Sequence, residues 1–147
     1  MAYITKQDLL DELGEGRLIQ LTDKDKTGAV DDAVVNKAIA YGCMLFESYL
    51  RTRYTLPVPS TEMVRSTCLD LARYKLERDR AKTTEVIDNL KKSLYDPAIK
   101  LLEAIQSGKA ALDVPAAQET ATNPQSPDSV LKGSKRATFT DENLKSY

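Results

Sequence analysis

Apolar residues return every three or four positions through most of the first 112 residues, the spacing of helices that bury one side. The first such stretch holds Ile4, Leu9, Leu10 and Leu13. Thr5 is placed to cap it, with Asp8 three residues on in a capping-box spacing, and Gly14 ends it. A second short helix is predicted around Arg17 to Leu21, carrying Leu18, Ile19 and Leu21. The main helix starts after Asp31 or Asp32 and runs to about Arg53. Its apolar positions are Val35, Ala38, Ile39, Gly42, Leu45, Phe46, Tyr49 and Leu50, a band wide enough to be nearly wrapped by neighbours.

Pro57 and Pro59 then forbid helix, because each pushes its preceding residue toward extended backbone. Ser60 is placed to open the next helix, with Glu62 early in it, where negative charge is favoured. Val64, Cys68, Leu71, Ala72 and Leu76 line one side; Arg65, Asp70, Arg73, Glu77 and Arg80 line the other. After a break near Lys82 and Thr83, Thr84 starts a helix with Ile87, Leu90 and Leu94. Pro97 is expected to kink or restart it, and the last helical stretch, Pro97 to Ser107, stops at Gly108. Residues 109–113 read as a short link. The pattern predicts an all-α protein, a small bundle of about five to six helices, with an extended C-terminal tail.

Past Val114 the pattern dissolves. The run VPAAQETATNPQSPDSV holds three prolines and few large apolar groups, too little burial to offset its ordering entropy. The ending, ATFTDENLKSY, restores Phe139, Leu144 and Tyr147. An apolar anchor on a tether has the form of a docking peptide, and a frayed terminus is the plainer alternative. The expected division is therefore a helical domain over 1–113 and a linker with a docking tail over 114–147.

Composition narrows the chemistry. With 147 residues, 41% hydrophobic and 29% charged, the chain suits one core plus an appendage. A net charge of −1 gives no overall pull toward nucleic acid or an anionic membrane. The longest apolar run, Ala38 to Phe46, is far short of the ~20 residues a membrane span needs, and the N-terminus lacks the form of a secretory signal. There is no histidine, which removes Ser–His and Cys–His nucleophilic systems and His-containing zinc sites. Cys43 and Cys68 lie within helical patterns, outside any CxxC spacing, and read as small core residues of a reducing compartment. The expectation is no enzyme, no cofactor and no metal.

Three motifs carry a sharper reading. Asp23, Asp25, Thr27, Gly28, Val30 and Asp31 fall on positions one, three, five, six, eight and nine of an EF-hand loop, but Val34 stands at position twelve, where the bidentate carboxylate belongs. A polar turn that leads into the next helix is the better reading. The arginines of residues 65–80 suggest a nucleic-acid surface, yet Glu62, Asp70, Glu77 and Asp79 interleave with them, as on a solvated or salt-bridged face. Arg51 and Arg53 have no acid close in sequence. Two roles are open to them, with Tyr54 beside them: capping the helix end, or contacting a neighbouring subunit or a DNA channel. The seven tyrosines suit half-wet positions such as core edges and subunit interfaces.

The stretches YITKQDLLDELGEGRLIQLTD, YLRTRYTLPVP with VRSTCLDLARYKLERDR, and LLEAIQSGKAAL occur in an order and spacing that resemble the Mu-like prophage head–tail connector, or neck adaptor, family of tailed phages. The ending TFTDENLKSY resembles that family more loosely. The resemblance implies a non-catalytic helical virion protein that forms a ring, commonly twelvefold, between the portal of the head and the tail or a stopper protein. The genome would pass through that ring without sequence-specific binding, and assembly would take place in the host cytoplasm. Read from the residues alone, the alternative is a small helical nucleic-acid-binding or regulatory protein.

Overall fold

Thr5 and Asp8 close the capping box that their spacing calls for. In the computed structural model, which describes residues 2–114, Asp8 Oδ2 accepts the Thr5 N–H at 2.6 Å and Thr5 Oγ1 accepts the Asp8 N–H at 3.4 Å. Helix α1 (Lys6–Leu13) is followed by α2 (Glu15–Thr22) after the single residue Gly14, whose φ of 81° suits a residue without Cβ. Helix α3 (Asp32–Leu50) is capped by Asp31, which accepts from the amides of Ala33 and Val34. It ends three residues before Arg53. Helix α4 (Glu62–Arg80) starts one residue later than expected, behind Thr61. The Ser60 hydroxyl is spent elsewhere, donating to the Tyr3 carbonyl at 3.1 Å.

Thr83 caps α5 (Thr84–Leu90), and the chain stays helical through Pro97 into α6 (Asp96–Gln106). The kink or restart expected there is replaced by a π-helical turn over Lys91–Tyr95. Proline offers no N–H to the carbonyl one turn back, and its ring crowds that carbonyl. The wider turn, seen in the Asp96 N–H bonded to the Lys91 carbonyl, accommodates the ring without breaking the rod. Gly108, at φ 85°, ends the helix as its sequence position demands.

The centre of the fold is the α3–α4 pair. Gly42 sits where the two backbones nearly touch: a Cβ there would lie 2.6 Å from the Cys68 carbonyl oxygen and 3.0 Å from the Ala72 nitrogen. Phe46, Leu50, Val64 and Leu71 are fully buried around this crossing, and Leu102 and Ile105 close it from α6. Leu9 and Leu18 bring α1 and α2 onto the same core, and Tyr3 meets Phe46 edge-on at 5.4 Å. Every regular element among the described residues is helical, and none is long and apolar enough to cross a membrane.

Cys43 and Cys68 are free and buried in the crossing. The hydrogen bond to Cys43 and then burial push the Cys68 thiol up, so it stays protonated.

Candidate assembly surface

The segment from Leu50 to Thr61 forms a clasp in the fold. The main chain turns through Arg53 and Tyr54, whose amides both return to the Leu50 carbonyl, at 3.0 and 2.9 Å. This turn aims the Arg53 guanidinium at the end of α6, where it donates to the Ile105 carbonyl at 2.6 Å and to the Ala110 carbonyl at 3.3 Å. A cation at carbonyls left open by a helix end is doubly favoured, by hydrogen bonding and by the dipole. The helix it serves is α6, not α3, so long-range packing rather than local sequence sets its role.

Tyr54 is corrected as a candidate subunit or channel contact. Its ring is only 2% exposed, and its hydroxyl oxygen accepts the Leu112 N–H at 3.0 Å. The guanidinium of Arg53 lies 5.6 Å from its ring centre. Residues 109–113, read as a link, are thereby folded onto the domain, with Leu112 buried and Asp113 receiving the Thr61 hydroxyl. Of the three candidates, Arg51 is the one that remains exposed, with no ion pair among the described residues. Phe139, Leu144 and Tyr147 lie outside the described residues.

Among the described residues, three of the four arginines of α4 are ion-paired, Arg78 with Asp79 at 3.2 Å. Arg65 pairs with Asp8, and Arg73 reaches Glu12 at 3.0 Å and Glu77 at 3.8 Å. Arg17 of α2 also pairs with Glu77. These pairs knit α1 and α2 to α4, so the mixed-charge pattern is an internal seam. Sequence placed Glu77 on the outer side, whereas it is 8% exposed and serves two guanidiniums. Its signal was no more than its place one turn after Arg73. Burial opposes ionisation of Asp8, but hydrogen bonds from Thr5 and Arg65 outweigh it and hold the carboxyl below its usual range. Asp70, nearby, is pushed up by burial and by Glu12.

Tyr41, Tyr49 and Tyr95 are the half-buried positions expected of tyrosine, whereas Tyr3, Tyr54 and Tyr74 are buried. The Tyr74 and Tyr95 rings are 4.9 Å apart, and Arg78 lies 5.5 Å from Tyr74 and 5.8 Å from Tyr41. Lys75 adds a second cation 5.8 Å from Tyr41. Burial, then the neighbouring tyrosines, push the Tyr95 hydroxyl up. Beyond Tyr41 the outer face of α3 exposes Met44 at 62%, which the periodicity flags because it falls off the apolar stripe.

The EF-hand-like loop is a turn. Asp23 accepts from the Thr27 N–H at 2.9 Å and the Gly28 N–H at 2.7 Å, which spend both carboxylate oxygens on the loop itself. Those two bonds hold its carboxyl below the usual range. No cluster of three or more metal-ligating side chains occurs among the described residues.

The fold is a small α-helical body with ion-paired outer helices and a clasped C-terminal strap. The model of the Bacteriophage Mu Gp36 family matches residues 3–130, and the chain belongs to that family. It is 29% identical over 119 residues to the Mu-like prophage FluMu protein gp36 of Haemophilus influenzae, covering 80% of each chain. It is 31% identical over 134 residues to gene product J of Escherichia phage Mu, covering 88% of each. The protein is therefore one of Mu-like phages.

Proposed function

We propose that the protein is a structural component of the phage neck, an adaptor that forms a ring between the head portal and the tail or a stopper protein. Membership of the Mu Gp36 family is the observation that carries this reading. The fold is compatible with it. The helical body is braced by internal ion pairs and a clasp, which leaves its outer faces for neighbours. In this reading the ring is commonly twelvefold, the genome passes through without sequence-specific contact, and the protein has no catalytic role.

Residues 114–147 serve as the docking tail, anchored by Phe139, Leu144 and Tyr147 on the portal or on a neighbouring subunit. A tethered anchor binds at high effective concentration once its domain is in place. Exposed Arg51 faces a neighbour or the channel.

Electron microscopy of purified particles at subnanometre resolution tests the proposal. A ring of these domains directly below the portal is expected; absence of the chain from intact particles overturns the reading. Deleting residues 115–147 should leave a folded domain that no longer attaches to portal-bearing heads. Normal attachment by that truncated protein would refute the docking role.

A further inference from the structure

Two different faces of the α3–α4 pair carry complementary surfaces. On α3, Gly42 touches α4, and a residue two positions on points roughly 200° away around the helix. That residue is Met44, 62% exposed. Ala33, Lys37, Ala40, Met44 and Ser48 form one exposed stripe along four turns, and its single charge is Lys37. Lys37 has no ion pair among the described residues. Methionine is enriched at the cores of protein interfaces.

On α4, Cys68 and Ala72 meet Gly42, and Leu69 points to one side of that contact. Leu69 and Ile4 floor a groove of about 330 Å³ between α1 and α4, with Asp11 and Glu62 on its rim. Asp8 and Glu12 in the same groove are neutralised by Arg65 and Arg73. Glu62 has no ion-pair partner among the described residues, and Asp11 receives only the Gln7 amide, at 2.8 Å. The groove is thus a mainly polar cleft with Leu69 at its base and two uncompensated carboxylates. It complements a stripe that offers an apolar knob and one uncompensated ammonium about 10 Å along the helix.

We infer that the occupant of the groove is a second copy of this chain, with Met44 seated over Leu69 and Lys37 paired with Glu62 or Asp11. The two surfaces are different patches of the chain, so the contact is head-to-tail. A contact of that kind repeats from copy to copy and closes into a ring when its rotation allows. The assignment rests on the ring reading above and specifies which faces build it.

The test places the photo-reactive residue p-benzoylphenylalanine at position 44 of the full-length chain, in particles assembled with that variant. Irradiation should join position 44 to peptides of another copy that span residues 4–12 or 62–69. Lys37→Glu and Glu62→Lys should each lower that yield about tenfold or more, since like charges juxtaposed across an interface cost several kcal/mol. Both changes in one chain should restore most of it. Lys37→Glu, at an exposed mid-helix position, should melt with the parent, and Glu62→Lys, which puts a cation in the first turn of α4, should melt only slightly lower with the fold intact.

Cross-links between copies at other surfaces would overturn this assignment and leave the ring intact. Cross-links to other proteins, no cross-links, or yields indifferent to both reversals would also overturn it. Particles that lack the chain altogether would defeat the neck reading itself.

Discussion

The α3–α4 crossing and the α1–α2 edge hold the same helix, α4, by different physics. At the crossing, Gly42 lets two backbones approach to a distance that no Cβ would tolerate, and the surrounding contacts are apolar. At the edge, Arg17, Arg65 and Arg73 meet Asp8, Glu12 and Glu77 over a smaller apolar base of Leu9 and Leu18. Shape fixes the first contact and charge fixes the second. Packed shape resists any added atom, whereas ion pairs near water exchange partners at small cost. The crossing should therefore be intolerant of substitution and insensitive to salt, and the edge the reverse.

The sharpest way to break this contrast is Gly42→Ala. Alanine improves helix propensity by about 1 kcal/mol over glycine. Here its Cβ would meet main chain at 2.6 Å, and overpacking typically costs about 1–3 kcal/mol. We expect a net loss of stability in urea titration, and a larger loss for Gly42→Val. A melting temperature equal to or above the parent's would show that the crossing relaxes easily. Next in size is Tyr54→Phe. It removes the acceptor of a buried N–H at Leu112, at a cost of about 1–3 kcal/mol. Faster hydrogen exchange confined to residues 108–113 would locate the damage in the clasp.

Glu77→Gln tests the edge at its most buried point. The carboxylate serves both Arg17 and Arg73, so the neutral amide should cost about 1–2 kcal/mol and loosen α2 before α3. Added salt should narrow the gap between variant and parent, because the arginines are partly exposed. For Gly42→Ala salt should change nothing.

The contrast also explains what was legible in the sequence. Periodicity read the crossing well: Val35, Ala38, Ile39, Phe46 and Leu50 lie on the buried side as their spacing demands, and Gly42 with them. Local caps were equally readable, from Thr5 with Asp8 to Gly108. The clasp was not. Arg53 bonds to carbonyls 52 and 57 residues away and Tyr54 to an amide 58 away, separations at which no local pattern speaks. Glu77 was misplaced for the same reason, since its burial depends on α2 arriving over α4. The π turn was half legible: Pro97 marks the place, but whether a helix kinks, breaks or widens depends on what packs against it. Arg51 was legible as a cation with no acid close in sequence, whereas Met44, which the apolar pattern simply left off its stripe, was not singled out.

Two carboxylates near the edge sharpen the comparison through pH. Asp8 is held below its unfolded value of ~3.9, so its contribution is fully present above that value and is lost as pH falls through its folded pKa. Asp70 is raised by burial and by Glu12, so it costs stability at neutral pH, and the cost fades as it protonates in acid. Asp8→Asn should lower stability at pH 7 by up to about 1 kcal/mol and make little difference well below pH 3. Asp70→Asn should raise it by a few tenths of a kcal/mol at pH 7, with no gain in acid. Denaturant midpoints across pH 2–7 distinguish the two, and parallel curves would mean that the local environments of these groups are not the source.

The smallest effect belongs to Lys6 and Asp32, which join the start of α1 to the start of α3 at 2.6 Å. By distance this is as good a pair as any at the edge. Its side chains, however, are 42% and 68% exposed, against 9% for Glu77. Water competes for both groups, and ordering two long side chains offsets most of the attraction. Asp32→Asn should therefore change stability by less than about 0.5 kcal/mol, the more so because the α3 cap is Asp31. A loss as large as that of Glu77→Gln would mean that contact distance, rather than burial, grades the ion pairs of this protein.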